Sequence, residues 1–175
     1  MMKRVELLSP AGDMERLELA VKFGADAVYV GGTQFGMRSN PSNFDPAQLQ
    51  AACKLVHAAG KKLYLTCNTL PRSYELDALP DFLRSARAAG VDAFIIADMG
   101  VLAIAKQAAP EVEVHISTQA GIVNYAAANA FYQMGAKRIV TARELSLDEI
   151  KMIRDHTPSE LEIEAFVHGA MCMSV

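Results

Sequence analysis

The sequence predicts an α/β protein with a (β/α)8 TIM-type barrel, present as a barrel of about seven parallel strands without a closing strand. Three observations support this fold class. A phrase made of a helix end, a glycine and a strand occurs four times, as AVKFGADAVYV at 20–30, VHAAGKKLYL at 56–65, ARAAGVDAFII at 86–96 and FYQMGAKRIV at 131–140. Helix-breaking glycines and prolines recur about every 27 residues, enough for one helix, one strand and two loops. Helical and strand-like segments alternate strictly.

A doubly wound open sheet would produce a similar alternation. The first strand, however, is not followed by the G-x-G-x-x-G pattern of dinucleotide-binding folds, and the repeats contain no long crossover. Eight repeats would need roughly 215 residues, whereas the chain has 175. We therefore expect residues 1–175 to form one incomplete N-terminal barrel domain of a longer protein. The alternative is an open barrel whose first and seventh strands are edges.

Seven strands are expected in chain order, each a short apolar run of the kind that a helix-covered parallel sheet buries on both faces. The helices between them carry recognisable starts. Asp13, Asp45 followed by Pro46, and Ser146 with Glu149 are expected to cap helix N-termini. A glycine follows most of the helices, where it permits a left-handed C-terminal residue. The expected strands are 5–8, 27–30, 62–67, 93–96, 112–117, 138–142 and 161–167.

Composition and charge limit the cellular compartments and the classes of partner expected for the protein. Apolar residues make up 51% and charged residues 21% of the chain, which is typical of a globular protein. The net charge of -3 provides no overall basic field, so any RNA role needs local patches. No window approaches the roughly 18 apolar residues that span a bilayer, and no membrane partner is expected. Three widely spaced cysteines favour a reducing, cytoplasmic location over a disulfide framework.

Polar side chains cluster where the strands end, which is the face that carries the active site in parallel barrels. Side-chain alternation along the fifth and seventh strands directs His115, Ser117, Gln119, Glu164 and His168 into the barrel and towards its mouth. Burying such groups without partners would cost several kcal/mol each. We therefore expect them to contact one another, water or a ligand.

From this placement we predict that Glu164, His168 and His115 are catalytic. A structural alternative stays open, in which Glu164 and Arg143 form a buried ion pair and His115 is a satisfied interior histidine. The substrate-binding residues expected from strand-end geometry are Arg38, Asn68, Gln119 and Arg143.

Basic residues fall into two groups. Arg38, Arg72 and Arg143 follow strands and are the cations expected near the mouth, where they could bind phosphate or a small dicarboxylate. Three basic pairs precede strands instead and are expected to be solvated on the opposite face. These pairs are Lys3-Arg4, Lys61-Lys62 and Lys137-Arg138.

Cys172 lies four residues after His168 in the segment HGAMC, just past a strand end. Three interpretations remain open from the residues alone: a nucleophile activated by the histidine, a metal or cluster ligand, or an inert loop thiol. Cys53 falls on a helix face and is badly placed to be a further ligand, whereas Cys67 shares a strand face with apolar residues and is expected to lie in the core. The chain contains no H-E-x-x-H motif for a zinc peptidase.

Four segments resemble the collagenase-like peptidases of unassigned catalytic type, family thirty-two. They are LLSPAGD at 7–13, GADAVYVGG at 24–32, ARELSLDEI at 142–150 and EAFVHGAMCMS at 164–174. The last segment is similar to the first half of the family signature, in which Glu, Phe, Gly and Cys recur at this spacing. The resemblance extends over essentially the whole chain and implies a barrel fold.

The resemblance also implies an iron-sulfur cluster. Cys172 would be its first ligand, with Glu164, Phe166, His168 and Gly169 as the signature residues that position it, and the other cysteines would come after residue 175. Members of the family are linked to prephenate-dependent formation of 5-hydroxyuridine in tRNA, to cytidine hydroxylation in ribosomal RNA or to ubiquinone hydroxylation, and others are called proteases.

Among these activities we expect hydroxylation of tRNA uridine, with tRNA as partner and prephenate as the small-molecule co-substrate. Hydroxylation of an aromatic base needs redox chemistry that side chains do not supply, so a cofactor is required. The alternatives are a metal- or cysteine-dependent collagenase-like peptidase, and a non-enzymatic scaffold or assembly module.

Overall fold

A single sheet of seven parallel strands, arranged in chain order, organises the protein. The structure is a computed structural model that describes residues 5–36 and 43–169. Each strand pairs in parallel with the next, as in a (β/α) barrel. The strands are β1 (Leu8–Pro10), β2 (Ala27–Gly31), β3 (Lys62–Cys67), β4 (Ala93–Ile96), β5 (Glu113–Ile116), β6 (Arg138–Val140) and β7 (Glu162–Glu164).

In residues 5–36 and 43–169, six α-helices connect the strands, and short 3₁₀ helices at Ser73–Ala78 and Thr118–Ala120 follow β3 and β5. The predicted N-caps are confirmed, because Asp13, Asp45 and Ser146 each accept a hydrogen bond from a backbone N–H in the first turn. Within the described ranges, no helix has the length and apolar character needed to cross a membrane. The helices are α1 (Met14–Lys22), α2 (Pro46–Ala58), α3 (Leu79–Ala89), α4 (Met99–Ala108), α5 (Tyr125–Gln133) and α6 (Leu147–Asp155).

The sheet curls, so that side chains from distant strands meet on its inner face. The Tyr64 hydroxyl on β3 donates a hydrogen bond to Glu6 Oε1, ahead of β1, at 3.0 Å. Arg138 Cζ on β6 lies 5.4 Å from the centroid of the Tyr64 ring. Contacts between strands so far apart in the sheet require a curved interior. The predicted TIM-type barrel is therefore confirmed, as a curled seven-stranded sheet with β1 and β7 at its edges.

Two apolar cores stabilise this arrangement. The larger lies between the sheet and the helices and includes Val114 and Ile116, the β5 residues predicted to face the helices. The smaller lies inside the curl and consists of buried Ala27, Tyr64, Ala93 and Ile95, with Leu8 and Tyr29 packed against them. Towards β5, β6 and β7 the inner face carries polar side chains instead, among them His115, Arg138 and Glu164.

The two edge strands differ from the prediction. β1 spans Leu8–Pro10 rather than 5–8, and β7 spans Glu162–Glu164 rather than 161–167. Each pairs with one neighbour only, through three residue pairs, so the length of that single ladder sets its ends. Apolar residues that the pattern assigns to strands consequently lie outside them, and Val5 is 85% exposed and Val167 91% exposed.

Candidate active site at the mouth of the barrel

A cavity of about 250 Å³ lies at the carboxyl ends of the strands, the end at which the sequence predicts the active site. Every strand, or the residue directly after it, contributes at least one lining side chain or backbone group, because alternate residues face the interior. The lining residues are Leu8, Pro10, Ala11, Gly12, Tyr29, Gly31, Asn43, Thr66, Asn68, Ile95, Ser117, Thr118, Gln119, Val140, Arg143, Glu164 and Phe166.

Hydroxyl and amide groups make up most of the polar lining. Ser117 is buried, and its hydroxyl accepts a hydrogen bond from the backbone N–H of Gln119 at 3.4 Å. The Thr118 hydroxyl donates to the carbonyl of Thr141 at 3.0 Å. Among the described residues that line the cavity, Arg143 and Glu164 carry formal charges, and these are opposite in sign. The described lining therefore favours a neutral ligand with both donors and acceptors over a multiply charged one.

Arg143 packs flat against Phe166 at one side of the cavity. Its Cζ lies 3.7 Å from the centroid of the Phe166 ring, which is a close cation–π contact. Gly169 also approaches this guanidinium, since an added Cβ there would lie 3.4 Å from Arg143 Nη1, on a backbone with φ of +129°. The positive φ favours glycine at this position, next to the arginine.

Glu164 is held at the cavity by a second arginine, Arg138. Arg138 Nη1 donates to Glu164 Oε2 at 3.1 Å and to Glu6 Oε1 at 2.7 Å, while Arg138 Nη2 donates to Glu162 Oε2 at 2.7 Å. Burial raises the pKa of Glu164 although the Arg138 charge opposes that shift. The sequence left open an ion pair between Glu164 and Arg143. In the structure the arginine that pairs with Glu164 is Arg138.

The inward position of Arg138 was not predicted. The sequence suggested that Lys137-Arg138 is solvated outside the barrel, whereas Arg138 is only 7% exposed. It shares the inner face of β6 with Val140, and this alternation is the signal in the sequence that would have located it. Other members of the basic pairs match the expectation better, since Lys61 pairs with Asp26 at the strand start and Lys62 is exposed. Lys3-Arg4 lies outside the described residues.

His115 lies inside the barrel but does not line the cavity. It is 1% exposed, and its ring meets the Tyr64 ring edge-on, with centroids 4.7 Å apart. Its Nε2 lies 3.4 Å from Glu113 Oε2, and its Nδ1 has no hydrogen-bond partner among the described residues. Burial lowers the pKa of His115. A neutral imidazole that donates to Glu113 fits this environment.

The remaining predicted residues differ in placement. Asn68 and Gln119 line the cavity with Arg143 and Glu164. His168 is exposed and lies outside the described lining, in which Phe166 is the last residue of this segment. Arg72 is also exposed and outside the lining. Arg38 and Cys172 lie outside the described residues.

The two described thiols belong to the core, which was predicted for Cys67. Cys53 on α2 and Cys67 on β3 are buried between the sheet and the helices. Burial raises the pKa of Cys53 to about 12 and also raises that of Cys67, so both are neutral thiols at pH 7. Within the described part of the chain, no three His, Cys, Asp or Glu residues are grouped closely enough to hold a metal ion.

Comparison with known proteins gives a consistent match. The sequence model of peptidase family U32 matches residues 12–175. The tRNA hydroxylation protein P of Helicobacter pylori strain J99 is 43% identical over 99% of this chain and 41% of its own length. The tRNA hydroxylation protein P1 of Bacillus subtilis is 39% identical over 98% of this chain and 40% of its own length. An uncharacterized protease of Methanocaldococcus jannaschii is 40% identical over the whole chain and 43% of its own length.

The chain thus spans about two fifths of the length of these curated relatives. Among solved structures, a U32 peptidase superposes with a TM-score of 0.76 at 17% identity, covering 93% of this chain and 69% of that chain. This superposition supports the barrel-like fold independently of sequence similarity.

Proposed function

The chain belongs to peptidase family U32, and we propose that it is the barrel domain of an enzyme that hydroxylates a tRNA uridine to 5-hydroxyuridine. The observation that carries this proposal is a mouth cavity lined by neutral amide and hydroxyl groups beside a stacked Arg143–Phe166 pair. RNA-binding proteins recognise unpaired bases by stacking on such planar groups and by hydrogen bonds to base edges. The relatives named for tRNA hydroxylation support the same substrate class.

Hydroxylation replaces the C5–H bond of uracil with C5–OH, which removes two electrons and requires an oxygen atom. Side chains supply neither an electron acceptor nor that oxygen, so the reaction needs a cofactor or a co-substrate. We propose prephenate as the co-substrate, on the strength of the family resemblance. Arg143 is the one cation among the described lining residues and does not by itself make a dianion site, so Arg38 is the residue to test for a role in binding prephenate.

We also propose an iron-sulfur cluster, but the described residues do not fit one. Cluster ligands are thiolates, whereas Cys53 and Cys67 are neutral core thiols away from the cavity. The proposal therefore depends on Cys172 and on cysteines expected after residue 175. Within the described part of the chain, we assign substrate binding to Asn68, Gln119 and Arg143. We assign a catalytic role at the cavity to Glu164. An RNA substrate of this kind also implies a cytoplasmic location.

The peptidase alternative is supported by the name of the Methanocaldococcus relative. Hydrolysis needs an activated nucleophile or a metal-bound water. In the described residues, His115 Nε2 lies beside Glu113 rather than beside the Ser117 hydroxyl, and Glu164 is bound by Arg138. No assembled nucleophile and base is present in that part of the chain, so hydroxylation is the better-supported function.

Nucleoside mass spectrometry of tRNA tests the proposal. Cells lacking the gene should lose 5-hydroxyuridine and its derivatives, and the restored gene should bring them back. The Cys172→Ala gene should fail to restore them, whereas Cys53→Ala, which removes a core thiol, should succeed. Loss of bound iron and sulfide in the Cys172→Ala protein would support the ligand role.

Unchanged tRNA in the deletion strain would contradict the proposal. Chelator-sensitive cleavage of gelatin by the purified protein would then favour the peptidase. Restoration by Cys172→Ala, with unchanged iron content, would instead reject the cluster assignment while leaving the RNA substrate in place.

A further inference from the structure

The Arg143–Phe166 pair brings two planar groups together at the cavity. Phe166 is 38% exposed although it is a large apolar ring, and the guanidinium covers it at 3.7 Å. Both residues line the cavity. Aromatic rings and arginine planes are the groups on which proteins stack unpaired bases. The pair therefore offers a planar ligand a stacking surface.

The rest of the cavity favours a neutral heteroaromatic ligand. Asn68 and Gln119 line it with amides, which both donate and accept hydrogen bonds, as the edge of a nucleobase does. Among the described lining residues Arg143 is the one cation, and Glu164, which is paired with Arg138, adds a carboxylate beside it, so a dianion is poorly matched. The cavity of about 250 Å³ is below the roughly 300–1,000 Å³ of drug-sized sites, which suits a single ring system.

We infer that Arg143 and Phe166 form the platform on which one unpaired pyrimidine base of the RNA stacks, with Asn68 and Gln119 contacting the edge of that base. This inference rests on the proposed function, since it takes the ligand to be RNA. It adds that the base leaves its helical stack to enter the cavity, as in other enzymes that modify a base. It also assigns Phe166, a residue of the family signature segment, a role in substrate binding.

Fluorescence can test the platform directly, because the sequence contains no tryptophan. Phe166→Trp keeps an aromatic ring at the platform and makes it the only tryptophan in the chain. We expect single-stranded oligouridylate of five nucleotides to quench this fluorescence. An abasic oligonucleotide of the same length keeps the phosphates and sugars but lacks the bases, and it should not quench.

Two further variants test the stacking groups, with oligouridylate affinity measured by fluorescence anisotropy of a labelled oligonucleotide. Arg143→Lys keeps the charge but loses the planar group, and Phe166→Leu keeps an apolar side chain but loses the ring. Each should weaken binding about tenfold, in line with the worth of one stacked base. Phe23→Leu is the matched control, because Phe23 is 80% exposed at the end of α1, away from the cavity lining, and affinity should be unchanged. Circular dichroism melting curves check that all variants are folded.

Equal quenching by the abasic oligonucleotide, or Arg143→Lys and Phe166→Leu proteins that bind within twofold of wild type, would overturn the platform. Normal 5-hydroxyuridine in cells carrying only Arg143→Lys and Phe166→Leu genes would also overturn it while leaving the proposed function standing. Base-dependent quenching together with unchanged tRNA in the deletion strain would support the platform and contradict the proposed function.

Discussion

Glu164 and Glu162 show how two carboxylates on one arginine can have different roles. Both accept hydrogen bonds from Arg138, but of the two only Glu164 lines the cavity, and burial raises the pKa of Glu164. The chain therefore contains its own matched control, because a change at either residue disturbs the same ion pair while only one alters the site.

We expect Glu164→Gln to lower 5-hydroxyuridine in tRNA by tenfold or more, because the amide keeps the shape of the side chain but cannot carry the charge or accept a proton. Glu162→Gln should leave the modification near the wild-type level. Both changes should reduce the free energy of unfolding by less than about 2 kcal/mol, since a neutral hydrogen-bonding partner remains for Arg138. Similar loss of modification in both variants would assign Glu164 a structural role only.

His115 predicts a pH dependence of stability. In the unfolded chain a histidine titrates near its ordinary pKa of about 6.5, whereas burial lowers the pKa of His115 in the folded protein. Between these two values the unfolded chain binds more protons, so this contribution to stability is complete above pH 6.5 and is lost as the pH falls below it.

The measurement is urea denaturation between pH 8 and pH 5. His115→Phe keeps an aromatic ring against Tyr64 but cannot take up a proton, so its free energy of unfolding should fall less steeply below pH 6.5 than that of the wild type. Parallel pH profiles for the two proteins would show that the folded protein protonates His115 as readily as the unfolded chain does.

At the scale of elements, the sequence predicts interior strands and helix starts better than edges. β3 and β4 have the predicted bounds, β2 and β5 differ from theirs by one residue at one or both ends, and β6 ends two residues early, at Val140. β1 and β7 differ most, because apolar residues such as Val5 and Val167 also occur where nothing covers them. The Arg138–Glu164 ion pair was not predicted, because Lys137-Arg138 precedes an apolar run and was therefore expected to be solvated. Only the alternation of inward and outward side chains along β6 indicates that Arg138 faces the interior.

Local capping rules make α6 a test of element stability. The Ser146 hydroxyl accepts from the backbone N–H of Glu149, and the Glu149 carboxylate accepts from the backbone N–H of Ser146 at 2.7 Å. Ser146→Ala should reduce the free energy of unfolding by about 1 kcal/mol, measured by urea denaturation. Ser85→Ala, in the exposed middle of α3, should be neutral or slightly stabilising because alanine favours a helix. A cost at Ser85 equal to that at Ser146 would contradict the capping explanation.

At the scale of the whole molecule, Arg138 connects the two edges of the sheet. It contacts Glu6 ahead of β1 and both Glu162 and Glu164 on β7, and its side chain is 8% exposed. Among the described residues, these ion pairs link the two sides of the open barrel through side chains. The apolar pattern of the sequence predicts the strands at both edges of the sheet. It does not predict which charged side chains pair between these edges.

Arg138→Met should reduce the free energy of unfolding by about 3 kcal/mol or more, because it leaves carboxylates in a buried site without their cation. Arg84→Met removes an exposed pair with Asp81 and should change stability by less than about 0.5 kcal/mol. Urea denaturation at pH 7 measures both. A loss below about 1 kcal/mol for Arg138→Met would show that water readily replaces the guanidinium.

The same contact has a consequence for the order of folding. Glu6 and Arg138 are 132 residues apart, so their pairing closes one of the longest loops in the chain. At roughly 5–20 residues per second of synthesis, Glu6 leaves the ribosome many seconds before its partner exists. We therefore expect the network to form after the strands between them, so that Arg138→Met accelerates unfolding and leaves the refolding rate nearly unchanged. The ion pairs across the open side of the sheet would then form late in folding. They would set how long the folded protein persists rather than how quickly it forms.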